Sequence, residues 1–81
     1  MPHDETPIGD DGLLLILEEA IADERCAQEK YRTSRDRCAD ADACRMFDQL
    51  LRDEEAHERA LSRRYDEVKK RIGLSGGGFA G

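Results

Sequence analysis

The stretch LLRDEEAHERAL, residues 50–61, decides how this chain is read. Stepping by three and four from Leu50 leads through Glu54 and His57 to Leu61, the spacing that places side chains on one face of a helix. The same line runs on through Tyr65, Val68 and Ile72 and back to Leu51 and Phe47. Glu54 and His57, a Glu-x-x-His pair, therefore stand on the stripe that should be buried, whereas Asp53, Glu55, Arg59 and Arg63 fall off it. A carboxylate buried without a partner costs several kcal/mol, and a bound cation removes that cost.

Composition limits what such a helix can build. The chain has 81 residues, 40% of them charged and 38% hydrophobic, with two Phe, two Tyr and no Trp. That supports one small domain with a thin core, and self-association is the expected way to cover its apolar stripes. A net charge of −6 and a pI near 4.8 oppose a nucleic-acid partner and favour cations. The basic cluster Arg63, Arg64, Lys69, Lys70 and Arg71 reads as a solvated face at a helix C-terminus, where cations suit the helix dipole. No apolar run approaches the length of a membrane span, so no membrane role and a cytoplasmic location are expected. Cys26, Cys38 and Cys44 lack metal-binding spacing and read as reduced thiols, although Cys38 and Cys44 flank a turn and can approach each other there.

From the N-terminus, residues 1–10 read as a disordered leader carrying both prolines. Asp10 or Asp11 is the expected cap of a first helix over residues 11–37, whose stripe is Leu14, Leu17, Ile21, Glu24, Ala27 or Gln28, and Tyr31. An acid again interrupts an apolar line. Residues 38–42 read as a short turn with Asp40 and Asp42 as capping acids, followed by a second helix over residues 41–72 that stops at Gly73. Residues 74–81, LSGGGFAG, read as a flexible tail. The fold class is thus all-α, with residues 11–73 forming an antiparallel two-helix hairpin that dimerises into a four-helix bundle.

Closing that hairpin brings Glu24 opposite Glu54 and His57. Taken singly, each acid is explained as a surface charge, Glu55 and Glu58 as solvated acids, and Tyr31 as a packing residue. Taken together, two stripes are broken at facing positions, and two carboxylates with an imidazole suit iron, manganese or zinc better than calcium or copper. Two hairpins about a two-fold axis would supply four carboxylates and two imidazoles, the ligand set of carboxylate-bridged di-iron proteins. Tyr31 shares the face of Glu24 and can hydrogen-bond a ligand carboxylate.

Glu24 with Tyr31 seven residues later, then Glu54, Glu55 and His57 in DEEAHERAL, thirty residues beyond Glu24, resembles ferritin-like proteins of the rubrerythrin type and among them the two-helix encapsulated ferritins. The resemblance covers about residues 13–72. It implies that Glu24, Glu54 and His57 are iron ligands and the catalytic set, with Tyr31 beside them. It also implies a ferroxidase oxidising Fe(II) to Fe(III) between two subunits, for iron storage or detoxification. The implied partners are further copies of the chain, a dimer or a larger ring, and an enclosing protein shell that forms a nanocompartment. Cys26 departs from that pattern by standing where a further acid is expected, with Asp23 as a substitute, and the tail has no clear shell-targeting sequence. The alternative is a non-catalytic helical-hairpin scaffold holding a structural divalent metal.

Overall fold

The computed structural model describes residues 7–73, and the expected leader, up to residue 6, and the tail over residues 74–81 lie outside them. Two helices, α1 (Asp10–Arg37) and α2 (Ala41–Arg71), form an antiparallel hairpin, with no strand among the described residues. At about 1.5 Å per residue, their 28 and 31 residues make rods roughly 42 and 47 Å long. Such lengths leave room for a site midway, far from either end.

Local chemistry sets the boundaries. Gly9, rather than Asp10 or Asp11, occupies the first cap position, and no side chain caps there. Asp10 and Asp11 lie inside the first turn, where acids favour the helix dipole. Asp40 does cap α2, its carboxylate accepting from the Ala43 N–H at 2.8 Å, so the link is only residues 38–40. At the other end Gly73 adopts φ 81°, a left-handed conformation that glycine enters without penalty, and its N–H donates to the Lys70 carbonyl at 3.1 Å.

Cys38 and Cys44 are joined in a disulfide across the turn, with Cα atoms 5.7 Å apart. This corrects the reading of all three cysteines as reduced thiols. The three-residue link and the first turn of α2 bring the two β-carbons within bridging range, which sequence spacing does not display. Cys26 is free and exposed.

The core lies at the open end of the hairpin. Leu14, Leu17 and Val68 are buried there, with Leu13, Leu61, Tyr65 and Ile72 packed against them. Near the turn, Tyr31 and Phe47 stack with ring centroids 6.5 Å apart. Lys69 is 7% exposed, with its ammonium 5.5 Å from the Tyr65 ring centroid, so it does not belong to the solvated basic face. A lysine stem is long enough to cover apolar surface while its head finds an aromatic face.

One register runs along the hairpin. Arg71 pairs with Asp10 at 2.9 Å at the open end, Tyr65 donates to Glu18 at 2.7 Å, and Arg35 pairs with Asp48 at 3.2 Å near the turn. The middle of that register places Glu24 against the Glu54–His57 turn.

Candidate metal centre

Glu24 comes from the centre of α1, and Glu54 and His57 come from one turn of α2. Each offers a ligand atom, and the three atoms lie within 4.8 Å of one another. His57 Nδ1 is 3.0 Å from Glu54 Oε1 and 3.6 Å from Glu24 Oε1. The residues selected by spacing therefore meet in space.

Their burial is unequal. The side chains of Glu24 and Glu54 are 20% and 21% exposed, and that of His57 is 60% exposed. The expectation that His57 lies on the buried stripe is corrected. At 100° per residue, a step of three from Glu54 turns the side chain to the rim, whereas a step of four, to Glu58, keeps it nearer the contact with α1. The histidine is open to solvent or to another molecule.

Electrostatics single out Glu24. Its Oε1 is buried with no hydrogen-bond partner among the described residues. Burial first, and then the Glu54 carboxylate beside it, hold the Glu24 carboxyl above its usual range, with His57 pulling the other way. Two carboxylates facing each other across a partly desolvated gap are satisfied by a shared proton or by a cation. Oxygen donors joined by one imidazole accept a divalent metal of intermediate hardness, so the donor set fits the expected iron.

The further neighbours of the group are polar. Gln28, buried at 8% exposure, donates from Nε2 to Glu58 Oε1 at 2.7 Å, and Arg25 Nε donates to Glu58 Oε2 at 2.8 Å. Those bonds, Gln28 first and Arg25 second, hold the Glu58 carboxyl below its usual range. Glu58 is thus a cross-helix partner rather than a solvated acid. The signal was present in the sequence: Gln28 follows Glu24 by four and Glu58 follows Glu54 by four, so each extends the stripe of its ligand by one turn.

Of the two roles open to Tyr31, packing and a hydrogen bond to a ligand carboxylate, the structure shows packing. Tyr31 packs on Phe47, and among the described residues its hydroxyl has no hydrogen-bond partner. The phenol that does bond a carboxylate is Tyr65, on Glu18, about two turns of helix towards the open end. Comparisons with models of protein families, with curated proteins and with solved structures find no match.

Proposed function

We propose that this chain binds iron through Glu24, Glu54 and His57 and acts as a ferroxidase, with Fe(II) as its substrate. The observation that carries the reading is the buried Glu24 Oε1, which has no hydrogen bond among the described residues and faces a second carboxylate and an imidazole. An acid in that state is tolerated where it has a ligand to hold.

Three donors leave an iron ion under-coordinated, and the exposed flank of His57 offers a surface for a second copy. Two hairpins packed as a four-helix bundle would gather two such groups around a pair of ions. In the oxidation, two Fe(II) each give up one electron, and dioxygen takes both with two protons to leave as hydrogen peroxide. Glu24 and Glu54 favour the ferric product because their negative charge interacts more strongly with the higher cation charge. His57 adds a donor whose ring is oriented by its contact with Glu54.

Aerobic addition of Fe(II) to chelator-treated protein is expected to give a saturable rise in near-ultraviolet absorbance, with the rate reduced about tenfold or more in Glu54→Ala. A rate equal to that of buffer rejects the ferroxidase. Tight binding of a divalent ion with no such rise would favour the scaffold reading with a structural metal.

A further inference from the structure

Gln28 is the buried polar residue of α1 among those described, and it occupies a stripe position where a leucine would pack. A buried amide destabilises a fold unless it is hydrogen-bonded, so its partners account for its presence. Its Nε2 reaches Glu58 Oε1 at 2.7 Å and lies 3.5 Å from the Glu54 carbonyl oxygen. The amide therefore crosses α2 over the turn that carries both Glu54 and His57. Arg25, the residue after Glu24, holds the other Glu58 oxygen at 2.8 Å. Two α1 side chains thus grip one α2 carboxylate.

That geometry fixes rotation as well as register. Apolar packing between two helices tolerates small sliding and rolling, because dispersion has little directional preference, whereas a bond from a buried amide to a carboxylate does not. A roll of α2 by a fraction of a turn would carry Glu54 away from Glu24 without exposing much apolar surface.

We infer that Gln28 is a positioning residue for the Glu24–Glu54–His57 group, acting through Glu58 to hold the Glu54 turn of α2 against Glu24. The inference rests on the metal-binding reading of that group. Gln28 touches no ligand carboxylate; it sets where one of them points.

The test is titration of the chelator-treated full chain with Co(II), followed by visible absorbance, alongside thermal unfolding without metal. Gln28→Leu is expected to retain or raise Tm, since an apolar side chain suits the stripe, and to weaken the Co(II) Kd by about tenfold, as loss of a ligand's supporting contact does. Glu58→Ala should weaken Co(II) binding similarly. Glu58→Gln should recover most of the affinity, because its carbonyl oxygen still accepts from Gln28, and this variant and Glu58→Ala test the inference even where Gln28→Leu does not fold. Wild-type affinity in Gln28→Leu, wild-type affinity in Glu58→Ala, or Glu58→Gln as weak as Glu58→Ala would overturn it. Parallel losses of Tm and affinity in Gln28→Leu would also overturn it, by reducing Gln28 to general packing. If the wild-type chain binds Co(II) no better than Glu54→Ala, the metal reading falls and takes this inference with it. Wild-type binding left unchanged by Gln28→Leu removes only Gln28.

Discussion

At the scale of the residue, Glu24 departs most from what helix packing alone would select. It sits between Ile21 and Gln28 on the inward line of α1, yet its buried Oε1 makes no hydrogen bond among the described residues, with His57 Nδ1 3.6 Å away. An unsatisfied buried acceptor costs on the order of 1 kcal/mol or more, and an amide in its place can donate to Glu54. Glu24→Gln is therefore expected to raise the thermal midpoint of chelator-treated protein by a few degrees while weakening metal binding. Unfolding curves with and without chelator check both halves. A lower midpoint without metal would mean that the carboxylate is already paired in the native state.

At the scale of the element, the two helices are tied at their ends by ionic contacts and near the middle by the Gln28–Glu58 bond. Near the turn, Asp48 receives Arg52 from its own helix and Arg35 from α1. These bonds, Arg52 first and then Arg35, lower the Asp48 pKa below its ordinary value. A lowered folded-state pKa adds stability that is present above the unfolded value and is lost as pH falls through the folded one. Asp48→Asn should leave a flatter loss of stability on the acid side, below about pH 4, than the wild type shows. Urea midpoints measured across that range decide it, and identical acid limbs would show that the pair is screened by solvent. Since Asp48 is half-exposed, the effect belongs with the modest contributions of surface ion pairs.

At the scale of the molecule, the hairpin covers little apolar surface. Leu14, Leu17, Leu51 and Val68 form its buried set, while Leu15, Ile16 and Met46 remain exposed. Two helices in contact shield one flank of each stripe and leave the other open, which is also why His57 faces outward. The expected remedy is a second copy. Sedimentation equilibrium should give an even-numbered oligomer, and the thermal midpoint should rise with protein concentration, as it does when folding is linked to association. A monomer with a concentration-independent midpoint would remove the four-helix bundle and leave each group with three donors.

Much of this was written in periodicity. The interrupted stripes at Glu24, Glu54 and His57, the capping acid at Asp40 and the terminating Gly73 specify two helices, a short link and three meeting side chains, because local geometry fixes which residues share a face. What the linear pattern left open depended on how far each side chain turns and reaches. The rim position of His57, the bridge between Cys38 and Cys44, the covered Lys69, the Tyr31–Phe47 stack and the Gln28–Glu58 bond follow from a rotation of α2 about its axis and a tight turn. Those are set by packing between helices, a physical quantity that no spacing within a single helix contains.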